Sequence, residues 1–156
     1  MSNRRAHLKR ELLVLAEAAL AAARAAHADA VAGATHSEAK AENAKDTRGL
    51  EQSYLARGHA ARVVEIEAAL AQLAQLPEVA SGGKIAVGAV VTVDDAGRRS
   101  HYYLAPWGGG QIIGGRVAVV TPSSPLGRAL AGRQVDDTTE VERPGGRREL
   151  EIVAVE

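Results

Sequence analysis

The stretch THSEAKAENAKDTRGL, Thr35–Leu50, is polar and dense in charge, and it separates two alanine-rich runs with helical spacing. Before it, Leu8, Leu12, Leu15, Ala19, Ala22 and Ala26 recur in steps of four and three, the a/d rhythm of a coiled coil. After it, His59, Val63, Ile66, Leu70 and Leu73 repeat the same rhythm. Alanine has the highest helix propensity and lets a partner helix approach closely. The first run, His7 to Ala32, makes a rod of roughly 40 Å at the α-helical rise, and one apolar seam of that length needs a partner along it. Gly33 is placed to end the first helix. The second helix is expected to begin near Glu42 or Asp46 and to run to Leu76, where Pro77 stops it. Two such helices joined by a short polar link pair as an antiparallel hairpin. This predicts a hairpin over residues 1–77, with its tip at about 33–43.

Composition changes after Pro77. Ser81-Gly82-Gly83 reads as an entry turn, followed by short β-type runs at Ala89–Val93, Ser100–Leu104, Arg116–Val120, Thr138–Glu142 and Arg148–Val155. Turn signals separate them at Asp94-Asp95-Ala96-Gly97, Trp107-Gly108-Gly109-Gly110 and Pro144-Gly145-Gly146. The placing of Leu150, Ile152 and Val155 breaks strict alternation on the last strand and predicts a bulge there. One short helix fits inside the region: Ser123 or Ser124 as N-cap, Pro125 at the first helical position, Leu126–Ala131 as body and Gly132 as stop. Residues 78–156 therefore read as a compact antiparallel α+β module, and the whole chain as α+β.

The 156 residues include no cysteine, which excludes disulfides and thiolate metal sites and fits a reducing, cytoplasmic setting. Residues 1–78 carry ten Lys/Arg and ten Asp/Glu, and residues 79–156 carry nine of each. Neither half has the basic excess of a direct nucleic-acid binder. No apolar leader opens the chain, and Glu17, Arg24, His27 and Asp29 interrupt the alanine run, so no membrane segment is expected. With no Phe, one Trp and three Tyr, the chain lacks material for an aromatic-lined enzyme pocket. His36 has no second His at ligand spacing and reads as a solvated turn residue. Gly108-Gly109-Gly110 lacks the Lys-Ser/Thr of a phosphate loop. Trp107 reads either as a cap over a small core or as an exposed contact residue. A coiled-coil adaptor that associates with itself would explain the alanine seam but not the charged tip.

Two blocks together carry a family resemblance. Ser124-Pro125-Leu126-Gly127-Arg128-Ala129-Leu130-Ala131-Gly132 is followed by Val135-Asp136-Asp137, by Pro144-Gly145-Gly146 and by a closing strand with Glu151-Ile152-Val153. With an antiparallel coiled coil upstream, this resembles the GreA/GreB family of bacterial transcript cleavage and elongation factors across nearly the whole chain. The resemblance implies a helical hairpin followed by an FKBP-like domain. It implies an accessory factor with no chemistry of its own, whose C-terminal domain docks on RNA polymerase while the coiled coil enters the secondary channel. Ser124, Pro125, Leu126 and Arg128 would belong to the polymerase contact. Tip carboxylates would help hold a second Mg²⁺ at the polymerase active site, with no cofactor bound by the factor alone. In the family the tip has an aspartate and, three residues on, a glutamate followed by asparagine. Glu42-Asn43 match the latter pair, and the aspartate position falls on Ala39. Glu38, one residue away, and Asp46, one turn beyond Glu42, are the neighbouring acids; Glu38 and Glu42 are the expected pair. The resemblance leaves open a regulator that occupies the channel without stimulating cleavage. A prolyl isomerase, suggested by the FKBP-like fold alone, lacks its aromatic pocket: Tyr102 and Tyr103 are adjacent on one strand and point to opposite faces.

Overall fold

The computed structural model of the protein describes residues 3–39, 48–78 and 82–156, with the side chains of 37–39 and 48 outside the description. Helix α1 spans Arg4–Ala39 and helix α2 spans Arg48–Ala74. Asn3 caps α1, its Oδ1 accepting from Ala6 N at 3.3 Å. The expected stop at Gly33 is absent: α1 continues through it for six more residues. Glycine inside a helix costs only about 1 kcal/mol relative to alanine, too little to end a helix flanked by strong formers. A Cβ at Gly33 would sit 3.0 Å from Gln52 Oε1 on α2. The reversal therefore does not begin at Gly33, and the rest of the expected tip, residues 40–43, lies outside the described residues, as do both expected starts of α2.

The seam of α1 also differs from its reading. Leu8, Leu12, Ala16 and Leu20 are buried, whereas Leu15 and Ala19 are half-buried and Ala22 is exposed. Alanine on every face supplied no contrast by which to choose the stripe. On α2 the stripe is as expected: Ile66 and Leu73 are buried, and His59, Val63 and Leu70 are half-buried. The helix ends at Ala74, two residues early, where amides of Gln75 and Leu76 bond back to Gln72 and Leu73 and tighten the last turn.

The chain packs as two compact units. One is Leu15–Leu70. Within it, Arg24 bonds Glu67 at 2.9 Å and Gly33 faces Gln52. Partners later in α1 are earlier in α2, so the helices run antiparallel, as expected of the hairpin. The other unit is Met1–Val14 with Ala71–Glu156, joining the first turns of α1 and the end of α2 to the sheet.

That sheet has six strands: β1 Val90–Asp95, β2 Arg98–Leu104, β3 Ile112–Ile113, β4 Val117–Val120, β5 Thr138–Arg143 and β6 Gly146–Val155, in the order β3-β4-β2-β1-β6-β5. Helix α3, Pro125–Leu130, lies between β4 and β5 in sequence. The expectation of a purely antiparallel sheet is corrected at one pair: β2 and β4 run parallel, Tyr102 beside Ala118. After β2, the loop through Trp107-Gly108-Gly109-Gly110 carries the chain back along the sheet rather than turning tightly, and β3, a strand too short to read from sequence, pairs with the outer edge of β4. The bulge expected on the last strand is present: Thr92 pairs with Ala154 and Val93 with Ile152, so Val153 is the extra residue.

One sheet face holds the core of Val91, Val93, Leu104, Val120, Val141, Leu150 and Ile152, onto which Leu130 packs and Leu126 leans. On the other face, Tyr103 is fully buried, and burial pushes its hydroxyl up to about 12, with Arg5 opposing and Glu78 reinforcing the shift. A Cβ on Gly114 would sit 2.7 Å from Leu8 and one on Gly108 2.8 Å from Leu12. Gly114 N donates to Glu11 Oε2 at 2.8 Å, Arg4 pairs with Glu156 at 2.7 Å, and Lys9 Nζ donates to Leu76 O at 2.9 Å. Among the described residues no helix is long and apolar enough to cross a membrane.

Gly33 sits at an ordinary helical site, and the atom nearest a new Cβ is the mobile end of Gln52. Gly33→Ala should therefore raise unfolding stability, by up to about 1 kcal/mol in urea titration. A loss would show that the backbone there departs from a helix.

Candidate functional site

The segment from Thr121 to Gly132 is built by a small set of local bonds. Ser124 has extended backbone angles, φ −69° and ψ 156°, and caps α3. Its Oγ donates to Thr121 O at 2.7 Å and accepts from Gly127 N at 3.0 Å. Pro125, whose fixed φ suits the first helical position, follows it. Gly127 is buried, and a Cβ there would collide with the Thr121 carbonyl. At the far end Ala131 N bonds Gly127 O at 3.0 Å and Gly132 N bonds Ile85 O at 2.8 Å.

These bonds divide the four residues expected to make a contact. Ser124 is half-buried and spent on the cap, and Leu126 leans on the core. Pro125 and Arg128 are exposed. Among the described residues no ion pair engages Arg128. The structure thus brings all four onto one rigid turn, with two building it and two facing outward.

Beside this turn lies a groove that the sequence reading missed. Its volume is about 550 Å³, and it is lined by Ala71, Gln72, Leu76, Val87, Pro106 and Pro122, with Gln75 at its edge. Val87 is 37 % exposed there, and Trp107, next to Pro106, is half-buried. No periodic pattern announces a groove made from a helix end and three loops. The available signal was the loop prolines at 106 and 122, which present rigid apolar surface where no core requires it.

The tip carboxylates are not brought together by anything described. Glu38 falls in the last turn of α1, its side chain outside the description, and Glu42 and Asp46 lie outside the described residues. His36 is exposed on α1, on a helix rather than in a turn. Tyr54 is 59 % exposed with the Arg57 guanidinium 5.4 Å from its ring centre. Among the described residues no three His, Cys, Asp or Glu side chains gather into a metal-binding group.

Because Gly127 is wedged under a backbone carbonyl, a methyl group there must move the turn. Gly127→Ala should cost about 1–3 kcal/mol, the range of an overpacked interior site, and Ser124→Ala about 1 kcal/mol, the value of an N-cap. Pro125→Ala should stay within about 1 kcal/mol in the same denaturant titrations. Equal costs at all three positions would contradict the division between turn-building and outward-facing residues.

Residues 80–156 match the family model described as "Transcription elongation factor, GreA/GreB, C-term". The transcription elongation factor GreA of Methylococcus capsulatus is 37 % identical over 118 residues, which cover 73 % of this chain and 71 % of that one. GreA of Xylella fastidiosa strain M12 is 39 % identical over 119 residues, covering 74 % and 72 %. Among solved structures, GreA factor homolog 1 of Thermus thermophilus aligns at 23 % identity with a TM-score of 0.41, covering 92 % of this chain and 94 % of that one. The GreA/GreB factor of Nitrosomonas europaea aligns at 22 % identity with a TM-score of 0.41, covering 58 % and 78 %. By the extent of these sequence matches, the chain belongs to the GreA/GreB family of transcription elongation factors.

Proposed function

We propose that this GreA/GreB-family factor binds RNA polymerase through the α3 turn and its neighbouring groove, and that its helical hairpin enters the secondary channel to stimulate cleavage of backtracked RNA. The observation that carries the docking half is the exposure of Pro125 and Arg128 on a turn whose other members hold it rigid. A preorganised turn loses little conformational entropy on binding. An exposed guanidinium can take a partner carboxylate bidentately, and the apolar groove supplies adjacent area to bury.

The hydrolysis on this reading is the polymerase's own, in the cytoplasm, and RNA is met only inside that complex. Two-metal phosphodiester hydrolysis needs hard oxygen ligands for Mg²⁺ and a positioned water. Glu42, with Glu38 as the second carboxylate and Asp46 as its alternative, would lend oxygens to an ion that the polymerase largely holds. Two carboxylates alone offer too few ligands to retain Mg²⁺.

One residue favours a second reading. Ala39 stands where the family resemblance places an aspartate, and a tip short of one carboxylate would occupy the channel without promoting cleavage. The two readings separate in one pair of assays, binding to core polymerase and RNA release from a stalled, backtracked complex. Arg128→Ala should weaken binding about tenfold or more, as expected for a lost charged contact, and leave unfolding stability within about 0.5 kcal/mol. Glu42→Gln should retain binding and lose cleavage. Wild-type protein that binds but never stimulates cleavage would establish the second reading. An Arg128→Ala variant that binds like wild type would remove the docking role.

A further inference from the structure

A second cavity, of about 470 Å³, opens on β2 and β4, lined by Arg98, Ser100, Tyr102, Arg116 and Ala118 together with Arg99 and His101. The strand register explains the grouping. Arg98, Ser100 and Tyr102 alternate onto one face of β2, and Ala118 of β4 lies directly beside Tyr102. Arg116, immediately before β4, lines the same cavity.

The charges around this cavity are unbalanced although the chain is neutral. On the same face, Asp95 of β1 is approached by both Arg143 at 3.9 Å and Arg148 at 3.6 Å, so its single charge is already shared by two cations. Arg143 Nη2 also donates to the Tyr102 hydroxyl at 3.2 Å. Arg147 finds its carboxylates, Glu140 and Glu142, on the opposite face, and Arg99 is 4.0 Å from Asp94. Arg98 and Arg116 are exposed and, among the described residues, have no ion-pair partner. Two guanidiniums with no ion-pair partner among the described residues therefore line the same pocket as the half-buried Ser100.

Arg116 is also held in place. It follows Gly114 and Gly115, both with positive φ (55° and 81°). The Gly114 amide is bound by Glu11, and its Cα packs where a side chain would strike Leu8. The turn that presents Arg116 is thus pinned by the first turns of α1. The neighbouring His101 senses the same surplus: burial lowers its pKa first, and Arg4, Arg116 and Arg99 add to the effect against Glu156.

We infer that this pocket binds a phosphate group, held by the Arg98 and Arg116 guanidiniums and the Ser100 hydroxyl. A planar carboxylate is satisfied by one guanidinium, whereas the terminal oxygens of a phosphate can engage two guanidiniums and a hydroxyl at once. The phosphate could come from a free nucleotide or from the backbone of a nucleic-acid strand. The proposal is independent of the α3 docking surface, which shares none of these residues.

The test is titration calorimetry of the full chain at low salt with four probes: inorganic pyrophosphate, ADP, a single-stranded RNA oligonucleotide and a glutamate-rich peptide. Pyrophosphate should bind, and Arg98→Ala and Arg116→Ala should each weaken it about tenfold, with Arg128→Ala unchanged as control. Both substitutions are at exposed sites, so circular dichroism should show an intact fold. Amide NMR shifts on adding pyrophosphate to the wild type should centre on residues 98–102 and 114–118, independently of any variant. Tighter binding of ADP would identify a nucleotide as the source, and tighter binding of RNA, falling steeply with salt, a strand. Either outcome upholds the phosphate site. Binding of the peptide without pyrophosphate, ADP or RNA, or phosphate binding unaffected by both substitutions, would overturn it.

Discussion

Everything in the sheet-containing unit depends on how the first turns of α1 are seated. Leu8 and Leu12 are buried where Gly114 and Gly108 leave no room for a side chain. Polar bonds complete the seat, with Glu11 on the Gly114 amide, Arg4 on Glu156 and Lys9 on the Leu76 carbonyl. Burying Leu8 and Leu12 is worth about 1.5–3 kcal/mol each, and bonds from charged groups add to this, so the helix base is fixed by more than chain connectivity. The seat has a cost in Tyr103, fully buried with its hydroxyl lacking a hydrogen-bond partner among the described residues. Burial raising its pKa to about 12 is the same penalty seen electrostatically.

This seat makes residues far apart in sequence work as one surface. The end of α2 contributes Ala71, Gln72 and Leu76 to a groove whose other wall is Val87, Pro106 and Pro122. Glu11, on α1, fixes the turn that presents Arg116. The end of α2 thus walls the groove, while α1 reaches the arginine pocket only through Glu11, which holds the turn before Arg116.

How much of this was legible in the sequence follows from contrast. The α3 turn could be read residue by residue, because Ser, Pro and Gly each carry a backbone constraint at fixed offsets. The bulge at Val153 could be read because Leu150, Ile152 and Val155 break the alternation. The seam of α2 stood out against charged neighbours, while that of α1 was blurred by alanine on every face. Gly33 was read as a stop because glycine often is one, but its cost in a helix is small beside the propensity of its neighbours. The parallel β2–β4 pair was hidden because two-residue β3 carries no periodicity. The groove and the arginine pocket arise from register and tertiary packing, so neither leaves a motif. The roles of the tip carboxylates, by contrast, come only from the family resemblance, and Glu42 and Asp46 lie outside the described residues.

The central claim is that the rigid α3 turn and its groove meet the polymerase while the charged end of the hairpin is taken into the channel. Hydrogen–deuterium exchange of the full chain, alone and saturated with core RNA polymerase, tests it most directly. The account predicts slowed exchange in Thr121–Ala131, in Val87 and Trp107 beside the groove, and in Thr35–Leu50. Slowing confined to other surfaces, with both Thr121–Ala131 and Thr35–Leu50 unchanged in a saturated complex, would contradict it.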